Sequence, residues 1–266
     1  MRSFKIPCMA ADLPRLPPPP PALHDWALLL DVDGTLLDFA DRPEAVRVPA
    51  ELLDTLSRLH IALDGAVALV SGRPLAQLDA LFAPLQLPAA GLHGLELREG
   101  GEWASTGQPP PGLALVRDAA QALVDKFDGA LLEDKGTTLA LHWRGSPAAE
   151  EPLHEFATSA LIGLPGYHLQ AGKYVFELRP DGADKGHAIL ALMSHPQFLD
   201  RRPVFVGDDL TDEQGFVAIN AHGGHSVLVG QRTPTAAHHA LHDPDATRTW
   251  LRDVALRLAP SGPVNG

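Results

Sequence analysis

The sequence holds a single cysteine, Cys8, so no intramolecular disulfide can form and nothing points to an oxidised, secreted framework. No stretch approaches the roughly 18 apolar residues of a membrane-spanning helix. A signal peptide is not expected either, because Arg2 and Lys5 are followed by Pro7, Asp12 and Pro14 where a continuous apolar segment would be needed. These absences make the cytoplasm the expected location. Basic residues are few: 21 Lys and Arg against 33 Asp and Glu leave a net charge of -12, which disfavours nucleic acid and anionic membranes as partners. An anionic small molecule remains possible where a metal or a local basic patch offsets the field.

Proline, by contrast, is plentiful. Residues 1–24 contain "RLPPPPPAL", which can hold a polyproline II shape but neither a helix nor a central strand, and they are expected to form a flexible arm. Beyond it, apolar runs alternate with helical patterns. "WALLL" (26–30) precedes Leu52, Leu53, Leu56, Leu59 and Leu63 at helical spacing, and "GAVALVSGR" precedes Leu75, Leu78, Leu81 and Phe82. Later, "GHAILALM" feeds "PVFVGDD", and "TDEQGFVAIN" feeds "SVLVG". Runs apolar on both faces that alternate with helices predict an α/β fold, a Rossmann-like parallel-sheet core covered on both sides.

The middle of the chain has another rhythm. A helix carrying Leu113, Val116, Ala120, Leu123 and Phe127 leads to a hairpin turning at Gly136. A second helix, about 149–162, leads to a second hairpin, "YHLQAGKYVFELRP". This α-β-β-α-β-β unit reads as an inserted α+β cap. The predicted division is core at 25–107 and 181–258, cap at 108–180, and a tail at 259–266. Strand alternation puts Leu139, Leu141 and Trp143 on one face of the cap sheet with Tyr174, Phe176 and Leu178. The other face carries Glu133, Lys135, His142, Arg144, Lys173, Glu177 and Arg179. By pattern alone that second face is either solvated or aimed at a cleft.

Polar residues gather where the core runs end: Asp31 and Asp33 after the first, Ser71 after the second, Asp208 and Asp209 after another. Ligands of open α/β sheets bind outside the carboxyl ends of the strands, so these stretches should converge. Asp31 and Asp33, two positions apart, project to one side. Two acids in one crevice permit one to attack as a nucleophile and the other to move protons. Each stretch also has a plainer reading: a turn for "DGT", an N-cap for Ser71, a solvated helix start for Lys185.

Together and in order, "DVDGT", "SGR", "DKG" and "GDDLTDE" resemble the haloacid dehalogenase-like phosphohydrolases. The resemblance implies Asp31 as a nucleophile forming an aspartyl-phosphate, Asp33 as general acid/base, Ser71 as a phosphoryl ligand, and Lys185 as the neutralising cation. It implies Mg²⁺ held by Asp31, Asp208 and the main-chain carbonyl of Asp33, with Gly34 and Arg73 at the substrate and Asp209 and Asp212 acting from just behind. Physics asks for such cations: a carboxylate about 4 Å from a phosphate charge faces roughly 4 kcal/mol of repulsion per pair of unit charges at an effective dielectric of 20.

"GLHGLE", "LEDKGTTLALHWR" and "GKYVFELRP", with the core motifs, narrow the resemblance to the trehalose-6-phosphate phosphatase family over about residues 24–252. That implies a small-molecule sugar phosphate as substrate, gripped by Glu133, Lys135 and Glu177, with His142, Arg144 and Lys173 as further candidates. Another sugar phosphate, such as sucrose phosphate, or a non-catalytic sensor are the alternatives, and a synthase partner is left unknown. His93 and Glu96 either contact ligand or brace the junction. "GYHLQAGKY" departs from a P-loop in glycine spacing and in having Tyr after Lys. The pairs His222/His225 and His238/His242 have metal-like spacings but read as loop and helix-surface histidines.

Overall fold

The computed structural model describes residues 16–38, 46–99, 102–105, 109–182 and 184–259. The chain opens with β1 (Trp26–Leu30), α1 (Ala50–Ala62), β2 (Val67–Val70), α2 (Leu75–Phe82) and β3 (Ala89–Gly91), followed by a hairpin of β4 (Glu96–Glu99) and β5 (Glu102–Ser105). A second unit comprises α3 (Gly112–Val124), β6 (Leu131–Asp134), β7 (Leu139–His142), α4 (Glu150–Ala160), β8 (Tyr167–Gly172) and β9 (Val175–Pro180). The chain then returns through α5 (Lys185–Met193), β10 (Arg202–Gly207), α6 (Glu213–Ala221), β11 (His225–Val229), β12 (His239–Leu241) and α7 (Pro244–Leu258).

Every residue of β1 and β2 is buried, as expected of strands covered on both faces. The large sheet has the order β12-β11-β10-β1-β2-β3-β4-β5. β1 pairs in parallel with β10 on one side and β2 on the other. The loops leaving β1, β2 and β10 therefore emerge side by side, which brings Asp31, Ser71 and Asp208 to one edge. Leu52, Leu56 and Leu59 of α1 and Leu63 at its C-terminal cap are buried, each contributing roughly 1.5–3 kcal/mol by removal from water. α1 packs against α7, and α5 against α6.

Two features depart from the expected parallel sheet and free arm. β4 and β5 join antiparallel, so the sheet is mixed at that edge. A tight hairpin can only return antiparallel, whereas a parallel neighbour would need a crossover. At the opposite edge, part of the proline-rich segment docks: Pro17 O accepts from Ala240 N–H at 3.0 Å, Pro18 O lies 3.1 Å from His239 Nδ1, and Ala22 is buried. Proline lacks an N–H but keeps its carbonyl, so such a segment can cover an edge strand by accepting alone. Residues 1–15 lie outside the described residues.

The second unit is a four-stranded antiparallel sheet, β6-β7-β9-β8, backed by α3 and α4. Leu139, Leu141, Phe176 and Leu178 are buried against Leu113, Ala120 and Leu153. Register aligns Glu133, Ala140, Glu177 and Gln170 in a single cross-strand row on the other face.

Candidate active site

Asp31 directly follows β1, and its N–H still donates to Val206 O at 2.9 Å, so the sheet fixes the backbone that carries this carboxyl. Lys185 is presented by a helix cap: the Asp184 side chain accepts from His187 N–H at 2.8 Å and starts α5 with Lys185 pointing inward. Lys185 Nζ, almost fully buried, donates to Asp31 Oδ1 and to Asp212 Oδ1, each at 2.6 Å. The second Asp212 oxygen accepts the N–H groups of Asp208 and Asp209 at 2.9 and 2.8 Å. Asp208 in turn accepts from Thr35 Oγ1 at 3.1 Å. The turn after Asp33 approaches so closely that a Cβ on Gly34, φ +83°, would collide with the Asp208 carboxylate.

Asp31, Asp208 and Asp212 offer oxygens that lie within 4.8 Å of one another. Burial pushes the Asp31 carboxyl well above the usual carboxylate range, against the pull of Lys185 and with help from Asp212 and Asp208. Burial and the Asp212 charge push Asp208 up to about 7. Burial alone would discharge Lys185, but Asp212 and Asp31 outweigh it and hold the ammonium firmly protonated. Three carboxylates thus face one ammonium, a formal surplus of two negative charges. Hard oxygen donors with that surplus fit a divalent cation such as Mg²⁺.

Asp33 has different company. Both its oxygens accept from Arg73, Nε to Oδ2 and Nη2 to Oδ1, each at 2.6 Å. Ser71 Oγ accepts from Arg73 N–H at 3.1 Å, which folds the "SGR" loop onto itself. Glu96 braces this region, because its Oε2 accepts the Leu75 N–H at the start of α2 at 2.7 Å.

The cap's polar face lies against these loops. Lys135 Nζ donates to Glu177 Oε1 at 2.8 Å and to Gly72 O of the core at 3.3 Å, and Glu133 Oε2 stands 3.9 Å away. His142 Nε2 is 3.0 Å from Glu133 Oε2. Burial works against charge at Glu177, yet Lys135 and His93 overcome it and hold the carboxyl far below its usual range. The same attraction, from Glu177 and then Glu133, raises Lys135 despite its burial.

With this geometry in view, the kinship of the chain is decisive. The sequence model of the trehalose-phosphatase family matches residues 29–245. The chain belongs to the trehalose-phosphatase family. It is 40% identical over 237 residues to the trehalose-6-phosphate phosphatase of Escherichia coli K12, covering 88% of each chain. It is equally 40% identical over 236 residues to a probable trehalose-phosphate phosphatase of Sinorhizobium fredii, covering 88% of this chain and 89% of that one. Among solved structures, the C-terminal domain of Candida albicans trehalose-6-phosphate phosphatase superposes with a TM-score of 0.75, over 88% of this chain and 97% of that one; at 23% identity this is a likeness of fold. As a phosphatase of this family, the chain carries a Rossmann-like core with a cap.

Not every residue singled out from the sequence joins the cluster. Asp209 is exposed, and its Oδ1 caps its own loop at Leu210 N–H. Lys173 is exposed in the turn between β8 and β9, and Arg144 lies with its Cζ 5.3 Å from the Tyr174 ring centroid. Both lie past the ends of the strands on the His142 side, away from the cross-strand row that holds Glu133 and Glu177. His222 Nδ1 bonds Ala218 O and His242 Nδ1 bonds Asp243; neither these two nor His225 and His238 fall within a group of three metal-type ligands among the described residues.

Sequence reading overlooked Arg232, in the loop after β11. Its guanidinium donates to Asp208 O at 2.5 Å, Asp209 O at 3.0 Å and Glu213 Oε1 at 2.6 Å, while Glu213 Oε2 accepts from Ala236 N–H. Arg232 thereby clamps the backbone of the acidic loop from outside. A lone arginine in a loop of "GQRTPT" gives no periodic or motif signal, so only the fold reveals it.

Proposed function

We propose that the chain hydrolyses trehalose 6-phosphate to trehalose and inorganic phosphate, as a Mg²⁺-dependent step of trehalose biosynthesis in the cytoplasm. The observation that carries this reading is the polar group Glu133, Lys135 and Glu177 held over the Ser71–Arg73 loop, with Lys135 bonded to Gly72. Carboxylates and an ammonium in a fixed array can satisfy the hydroxyls of a sugar and disfavour analogues that leave them unpaired.

Asp31 is the nucleophile. Its carboxylate oxygen bonds to phosphorus as the bond from phosphorus to the sugar oxygen breaks, giving an aspartyl-phosphate and free trehalose. Asp33 donates a proton to the departing oxygen, then takes one from the water that attacks the same phosphorus and restores Asp31. In the present arrangement Arg73 donates one hydrogen bond to each Asp33 oxygen, which orients the carboxyl and leaves each oxygen a further lone pair for the proton it moves. Ser71 accepts from a backbone N–H and retains its hydroxyl proton for a phosphoryl oxygen. Lys185 keeps positive charge beside Asp31 throughout. Asp31, Asp208 and the main-chain carbonyl of Asp33 would hold Mg²⁺, with Asp212 anchoring the loop; the ion supplies charge neutralisation at the phosphate.

Phosphate release measured over a panel of sugar phosphates, with Mg²⁺ or EDTA and with Asp31→Asn as control, tests this. Preference for trehalose 6-phosphate is the expected result. Preference for another sugar moves the substrate assignment, and tight binding without release would mark a sensor.

A further inference from the structure

The segment Leu92–His93–Gly94 carries three successive residues in the left-handed region, with φ of 49°, 56° and 104°. For leucine and histidine this conformation is disfavoured, and such strain persists where surrounding contacts impose it. The contacts are visible. Leu92 N–H donates to Arg73 O at 3.0 Å and His93 N–H to Ser71 O at 2.9 Å, so the strained segment is bonded to the loop that carries Ser71 and Arg73. Its effect is to lay the His93 imidazole against Gly72, where a Cβ would collide with the ring. From that place His93 Nε2 faces Glu177 Oε2 of the cap across 3.6 Å, while Lys135 ties Glu177 Oε1 back to Gly72 O. The two Glu177 oxygens are therefore matched, one by a cap cation and one by a core imidazole.

We infer that His93 is a positioning residue that ties the cap's Glu177 to the Ser71–Arg73 loop, so that recognition of the sugar and ordering of the phosphate-binding loop occur together. The inference rests on the reading of Glu177 as a sugar ligand. The His93 Nδ1 is buried without a hydrogen-bond partner, which fits a neutral ring whose proton sits on Nε2 and points at Glu177. Burial likewise lowers His93 from its ordinary value, though Glu177 partly offsets it. A neutral donor restrains Glu177 without neutralising it and leaves the carboxylate able to accept sugar hydroxyls.

The test is a double-mutant cycle between His93 and Glu177→Gln, read on trehalose 6-phosphate and on p-nitrophenyl phosphate, which has no sugar to grip. His93→Asn suits the left-handed backbone but falls short of Glu177, whereas the Gln Nε2 in His93→Gln can reach it. We expect His93→Asn to cost about tenfold in kcat/KM on trehalose 6-phosphate, chiefly through KM, with a distinctly smaller loss on p-nitrophenyl phosphate. His93→Gln should recover most of the loss, and His93→Asn should cost little more once Glu177 is Gln. Equal losses on both substrates, no recovery with Gln, or additive effects in the cycle would overturn the role. Should His93→Asn fail to melt cooperatively, the cycle run with His93→Gln decides, independent loss from each change counting against it. If the wild-type protein prefers another sugar phosphate, that compound replaces trehalose 6-phosphate and the same outcomes judge His93, while the substrate reading falls separately.

Discussion

Asp31 and Asp33 both follow the end of β1, yet one is held by Lys185 and the other by Arg73. Their place at the carboxyl end of an apolar run was legible in the sequence; their partners, which come from α5 and from the loop after β2, were not. The raised Asp208 carboxyl leads to a pH prediction. A group that holds a proton up to about pH 7 must release it to accept a cation, and the raised Asp31 carboxyl adds to this, so Mg²⁺ affinity should climb at least about tenfold per pH unit below 7. Calorimetry in buffers of different ionisation enthalpy would show at least about one proton released at pH 6; pH-independent affinity with no release would contradict this. Arg232 supplies a second prediction. Arg232→Met removes three donors from the acidic loop and should weaken Mg²⁺ binding by about tenfold, or ~1.4 kcal/mol, with Arg232→Lys intermediate. The rise in Tm on adding Mg²⁺ would report it, and an unchanged rise in Arg232→Met would remove Arg232 from this role.

At the level of elements, the motif that names a lysine also builds its platform. Asp184 caps α5 and Lys185 is the first residue inside it, so the cap sets both helix stability and the aim of Nζ. Asp184→Ala should cost about 1 kcal/mol, seen as a fall in Tm of about 2–4 °C, and should lower kcat by more than a surface substitution does. A full fall in Tm with unchanged kcat would show that Lys185 is aimed by packing alone. The same level explains what was legible and what was not. The long apolar runs and the leucine stripe of α1 announced themselves because burial on two faces and on one face leaves distinct periods. β4 and β5 were missed because four-residue strands beside two glycines carry too few apolar positions to show a period, and three-residue β12 carries fewer still. The docking of Pro17 and Pro18 was missed because composition reports what proline cannot donate and is silent on what its carbonyls accept.

Over the whole molecule, two separate hydrophobic cores are joined across a polar seam. The core supplies a buried acid after β1, a buried ammonium at the start of α5 and an acidic loop after β10. The cap supplies a charged row whose face was undecided by pattern alone and is settled by the bond from Lys135 to Gly72. A protein of net charge -12 attracts a phosphate dianion only if positive charge is concentrated there, and Lys185, Lys135 and Arg73 all stand at this seam. The proposed mechanism turns on a covalent bond between phosphorus and Asp31. Turnover of trehalose 6-phosphate quenched in acid, followed by peptide mass spectrometry, should find the transferred group on Asp31 and none in Asp31→Asn. A phosphoryl group on any other side chain, or undiminished phosphate release by Asp31→Asn, would contradict it.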